Sequence, residues 1–183
     1  MPDLSRIQAK VTLAETLGLT RSDPDYYALE LGNHVLGGAF YATRLYRDLR
    51  EENGLVYYVT STFDLGVTRS LYGATFGCDP GNAQKARGIL VRDLSQMQAS
   101  PVTSEELQQA KALLLREIPL SESSVGQIAR KLIYLSEHFL PLDEPIRAAH
   151  TYVDLTAEQV RAAYQKWLRP GDLVEVIEGP PSK

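Results

Sequence analysis

Asn33-His34-Val35-Leu36-Gly37-Gly38, followed by Leu49-Arg50-Glu51-Glu52-Asn53-Gly54-Leu55-Val56-Tyr57, decides how this chain reads. Paired glycines are costly inside a helix, so Gly37-Gly38 breaks or kinks the helix before them. A second helical run, Phe40 to Glu51, carries Tyr41, Leu45 and Leu49 on one face. It ends at Asn53-Gly54, where glycine suits a left-handed cap. Leu55 to Phe63 is dense in β-branched and aromatic residues and reads as a strand. The junction sets Arg50 and Tyr57 seven residues apart, across a glycine turn between helix end and strand.

On the N-terminal side, Ile7, Ala9, Val11 and Leu13 alternate with polar residues, which predicts a half-buried strand over about 5–15. Ser22-Asp23-Pro24-Asp25 then opens a helix, with Asp23 as cap and Pro24 at the first helical position. On the C-terminal side, Asp64-Leu65-Gly66-Val67-Thr68 forms a hairpin loop that returns through a strand from Ser70 to Cys78. Asp79-Pro80 repeats the cap-then-proline signature and opens a helix through about Gln98. Thr103-Ser104-Glu105-Glu106 is a capping box for a helix to about Arg116. After a small-residue loop, Ile128, Leu132, Leu135 and Phe139 mark an amphipathic helix. A short helix over 143–150 and a last one capped at Thr156 lead to a final strand over 172–178, then a short tail. Four strands separated by helices pack most simply as an α+β two-layer domain. Its mostly antiparallel four-stranded sheet would carry helices on one face.

The 183 residues fit a single domain spanning 1–183, which we read as a piece of a longer chain. Hydrophobic residues make up 44% and charged residues 23%, the balance of an ordinary globular protein. A net charge of −4 argues against a nucleic-acid or anionic-membrane binder. No apolar run reaches the roughly 20 residues of a membrane-spanning helix, and Met1 to Arg6 lacks a signal-like apolar core. The lone Cys78 excludes an internal disulfide and any multi-cysteine zinc site.

Several pieces fall in the order of one known family. They are Asp23-Pro24-Asp25-Tyr26, Leu36-Gly37-Gly38, Arg44-Leu45, the Arg50 to Tyr57 segment, Asp79-Pro80 and the long helical tail. Together they resemble the metal-free half of the pitrilysin/insulinase-type zinc peptidases, whose other half carries an inverted His-x-x-Glu-His motif. The resemblance implies a processing-peptidase-like fold. It implies a domain that helps enclose unfolded peptide beside a zinc-bearing N-terminal half or homologous subunit. It implies that Tyr57 contacts the reacting carbonyl and that Arg50 supports it or holds substrate backbone. Tyr58 sits next door on the opposite strand face, so only one of the two can point at the chamber, and the seven-residue spacing from Arg50 selects Tyr57. His34, His138 and His150 do not lie four apart, so no metal site, no cofactor and no independent hydrolysis are expected in this chain, and zinc is expected in the partner half.

Taken residue by residue, blander roles compete. Arg50 near a helix end can simply complement the helix dipole, and Tyr57 can be a cross-strand packing ring. Cys78 fits a small buried hydrophobe, and His34 a packing residue. Glu51 and Glu52 face different ways on a helix. Tyr26, Tyr27, Tyr41 and Tyr46 suit interhelix packing. At the level of function, the alternatives are a catalytically silent assembly subunit of the same fold, or a peptide-binding module.

Overall fold

The computed structural model describes residues 7–39 and 42–180. Its sheet is built from β1 (Ala9–Leu17), β2 (Val56–Asp64), β3 (Ser70–Cys78) and β4 (Val174–Glu178), in the order β2-β3-β1-β4 with every pairing antiparallel. Period-two patterning gives the sheet two unlike faces. Ala9, Val11, Leu13 and Leu17 of β1 and Tyr72, Ala74, Phe76 and Cys78 of β3 are buried on one face. Tyr58, Thr60, Thr62 and Leu71 stand exposed on the other. A row of Thr60, Thr75, Thr12 and Val176 crosses all four strands on this open face, and the Thr12 and Thr75 hydroxyls lie 3.2 Å apart.

Helices cover the apolar face, though not every one of them touches it. They are α1 (Tyr26–Leu36), α2 (Arg44–Tyr46), α3 (Ala83–Ala99), α4 (Ser104–Leu120), α5 (Val125–Glu137), α6 (Glu144–Asp154) and α7 (Ala157–Trp167). Leu29, Leu31, Leu36, Leu90, Leu94, Val160 and Tyr164 meet the sheet in one continuous core. Thr103 with Glu106 and Thr156 with Gln159 both close full capping boxes, each satisfying helix N–H groups that would otherwise lack partners. This is the expected α+β two-layer arrangement.

Several expectations need correction in detail. β1 begins at Ala9 and extends to Leu17; Ser5 and Arg6 lie outside the described residues, as do Phe40 and Tyr41 of the expected second helix. α1 starts at Tyr26, two residues after Pro24, because the Asp23 side chain accepts the Asp25 N–H and forms a turn ahead of the helix. After the single turn of α2 the chain widens into a π-helical segment, Arg47–Glu52. α4 runs on to Leu120 with Pro119 inside its last turn, and α6 reaches Asp154. In α5 only Leu135 is buried, while Ile128 and Leu132 are exposed and Phe139, just past the helix, is 84% exposed. The amphipathic pattern is there, but the described residues leave its apolar face uncovered.

Candidate functional site

The site forms where β2 leaves the π-helical turn. Gly54, at φ +60°, makes the left-handed cap, and the Leu55 N–H closes back on the Leu49 carbonyl at 2.8 Å. β2 then pairs Val56 with Cys78 and Tyr58 with Gly77, so Tyr57 is an extra residue at a β-bulge. Arg50 Nη1 reaches across the turn and donates to the carbonyls of both Val56 (3.0 Å) and Tyr57 (2.8 Å). A single guanidinium nitrogen thus clamps the two carbonyls of the bulge.

The bulge changes which side chains share a side. Strict alternation would have turned Tyr58 away from Tyr57, but the extra residue breaks that alternation. Both rings, each 46% exposed, line one cavity of about 520 Å³ with Gly38, Ala39, Tyr46, Arg50, Val59 and Thr60. The exclusion of Tyr58 on strand periodicity is therefore corrected. Tyr46, expected to pack between helices, also faces this cavity. With apolar and aromatic walls and few charged groups, the cavity has the makeup of a ligand site.

Next to the lining residues Gly38 and Thr60 lies a contact that the sequence did not single out. Asn33 Nδ2 donates to the Ser61 carbonyl at 3.1 Å, and the Ser61 hydroxyl donates to Asn33 Oδ1 at 2.6 Å. The Ser61 N–H donates to the Gly37 carbonyl at 3.0 Å. This buried polar knot ties the end of α1 to β2. A Cβ at Gly37 would stand 2.7 Å from both Leu45 Cδ1 and Ser61 Oγ, so a side chain there would have to displace the buried Leu45 and the hydrogen-bonded Ser61.

The Tyr57 hydroxyl donates to Asp79 Oδ1 at 2.7 Å. Asp79 precedes a short 3₁₀ turn, Pro80–Asn82, yet its side chain caps no backbone N–H there. The cap-then-proline reading is right about the turn and wrong about the carboxylate, which is engaged with Tyr57. That hydrogen bond holds the phenol above its ordinary pKa, because ionisation would put two negative charges side by side. Beneath the site, Arg44 grips Glu106 through two 2.7 Å contacts and fastens α2 to the capping box of α4. Asp48, in the π-helical turn, is paired with Arg47 and Arg92.

Among the described residues, no group of three or more His, Cys, Asp or Glu side chains could hold a metal ion. His34 is buried, with Nδ1 3.1 Å from the Glu30 carbonyl and Nε2 3.6 Å from Glu117 Oε1. Cys78 is buried against the core, and burial pushes its thiol pKa up, away from the thiolate that nucleophilic chemistry needs.

Residues 2–114 match the family model described as the peptidase M16 inactive domain. The chain is 25% identical over 111 residues to the probable inactive metalloprotease YmfF of Bacillus subtilis, covering 61% of this chain and 25% of that protein. It is 29% identical over 137 residues to the uncharacterized zinc protease YmxG of the same organism, covering 70% of this chain and 32% of that protein. The chain thus spans a quarter to a third of the length of these curated relatives. Among solved structures, the peptidase M16 inactive domain from Pseudomonas fluorescens superposes with a TM-score of 0.85 at 31% identity, over 99% of this chain and 42% of that one.

Proposed function

We infer the function of this chain from its kinship: it belongs to the peptidase M16 inactive-domain family. We propose that it works as the metal-free half of a zinc-dependent endopeptidase, beside a zinc-bearing half that is fused to it or separate. The bulged end of β2 would form part of the wall of the peptide chamber. The chemistry expected of a zinc held in the other half would be activation of the attacking water and polarisation of the carbonyl. This chain's share would be to present the Tyr57 hydroxyl to the developing carbonyl oxyanion, where a preorganised donor stabilises charge. Arg50 would hold the bulge that aims Tyr57, and its remaining guanidinium hydrogens could meet peptide carbonyls.

One observation carries this reading. Tyr57 and Arg50, seven residues apart in sequence, line the same cavity because the bulge and the π-helical turn bring them there. The test is peptide turnover by this chain combined with its zinc-bearing half. Tyr57→Phe should lower kcat by about 100- to 1000-fold, the usual loss for one oxyanion donor, with little change in KM. Unchanged turnover would remove Tyr57 from the reaction.

A further inference from the structure

Tyr57 has one proton to give, and the structure shows where it points. The phenol donates at 2.7 Å to Asp79 Oδ1. While it does so, its oxygen can only accept. A donor to a substrate oxyanion must turn its proton away from Asp79, leaving a carboxylate facing the phenol's lone pair. Among the described residues, the Asp79 side chain makes no other hydrogen bond. Its position ahead of the Pro80–Asn82 turn is that of a capping residue, yet it makes no side-chain cap. Only its backbone carbonyl serves the turn, accepting the Asn82 N–H at 2.9 Å. The carboxylate is therefore free to act on Tyr57, and Tyr57 can reach it because the bulge makes it the extra residue beside Cys78, next to Asp79 in sequence.

We propose that Asp79 is the positioning residue for the Tyr57 hydroxyl, fixing its proton on a carboxylate in the resting protein so that a bound peptide must take that proton over. The inference rests on the assignment of Tyr57 as an oxyanion donor. Asp79 does not touch the reacting atoms; it acts only through Tyr57. When the phenol turns, no bond to hydrogen is broken: the O–H rotates about the Cζ–O bond and its acceptor changes from carboxylate to oxyanion. A negative Asp79 opposes this change twice. It competes for the proton, and its charge lies close to the charge that develops. The raised phenol pKa is in keeping with the same contact, which outweighs the opposing hydrogen bond of the Gln8 side chain to this phenol. An amide in place of the carboxylate keeps the shape, removes the charge and supplies an N–H to the turned phenol oxygen.

The test has two arms. In the first, this chain alone is labelled at tyrosine ¹³Cζ, and the Tyr57 resonance is assigned by its loss in Tyr57→Phe. Asp79→Asn should bring the phenol titration down toward the ordinary tyrosine value. An unmoved titration overturns the contact, whatever the enzyme does. In the second, the chain is combined with its zinc-bearing half and peptide turnover is measured. Asp79→Asn should raise kcat by about three- to tenfold, the span one ordinary hydrogen bond commands, and should have no effect in a Tyr57→Phe background. An unchanged or lower kcat, or the same effect with phenylalanine at 57, overturns the positioning role. If Tyr57→Phe alone leaves turnover unchanged while the NMR shift is seen, the donor assignment fails and the Tyr57–Asp79 contact stands. Asp79→Ser, which also removes the charge, should move both readouts in the same direction, so a folding defect peculiar to the amide cannot account for both.

Discussion

Arg50 binds two successive carbonyls through one nitrogen, Nη1, with contacts of 3.0 and 2.8 Å. In a regular strand, neighbouring carbonyls point to opposite sides. At a bulge they converge enough for one donor to serve both, and the side chain thereby stabilises the irregularity that exposes Tyr57. Arg50→Ala should cost about 1–2 kcal/mol in urea unfolding, the range of a hydrogen bond with one charged partner, discounted for exposure. Arg50→Lys should recover only part of this, because an ammonium on a flexible stem lacks the rigid fork. Full recovery by lysine would show that charge alone, not the clamp geometry, matters at this position.

The π-helical turn, the bulge and the glycine break after α1 are the elements that build the site, and they were unequally legible. The break at Gly37-Gly38 and the cap at Gly54 could be read because glycine pairs and Asn-Gly carry known backbone preferences. The bulge could not, since Val56-Tyr57-Tyr58-Val59 has the composition of a regular strand and the extra residue is set by pairing with β3. The Asn33–Ser61 knot was invisible for the same reason: its partners lie 28 residues apart and meet only in the fold. Asp79 was misread because a local rule, capping, lost to a tertiary contact. Among the elements, the joint between α2 and α4 gives a prediction of its own. Burial alone would raise the Glu106 carboxyl, but Arg44 and the Thr103 N–H outweigh it and hold it below its ordinary value of 4.5. A depressed folded pKa contributes stability that is present above 4.5 and lost as pH falls through the folded value. Glu106→Gln should therefore lower stability by about 1–2 kcal/mol at pH 7 and flatten part of the acid limb of a stability–pH curve. An acid limb identical to that of the unmodified chain would contradict this.

For the whole molecule, one face of the sheet is packed with helices and the other stays open, with the cavity of Arg50, Tyr57 and Tyr58 along the free edge of β2. The helical layer is pinned by a buried ion pair whose members do not line that cavity. Arg21 and Glu144 meet at 2.7 Å, Tyr27 donates to the same carboxylate at 2.6 Å, and the Arg21 guanidinium lies 3.8 Å from the centre of the Tyr26 ring. Removing one member leaves a buried charge without its partner, so Glu144→Ala should cost about 3–5 kcal/mol in global stability. Its effect on turnover should be confined to the loss of folded protein. Tyr57 meets a different test, because its proposed role is contact rather than stability. The most direct measurement follows its ¹³Cζ resonance in the assembled enzyme, with zinc stripped by a chelator so that added peptide is held and not cut. This resonance should shift in step with peptide occupancy. A resonance that stays fixed while peptide saturates the chamber would contradict it.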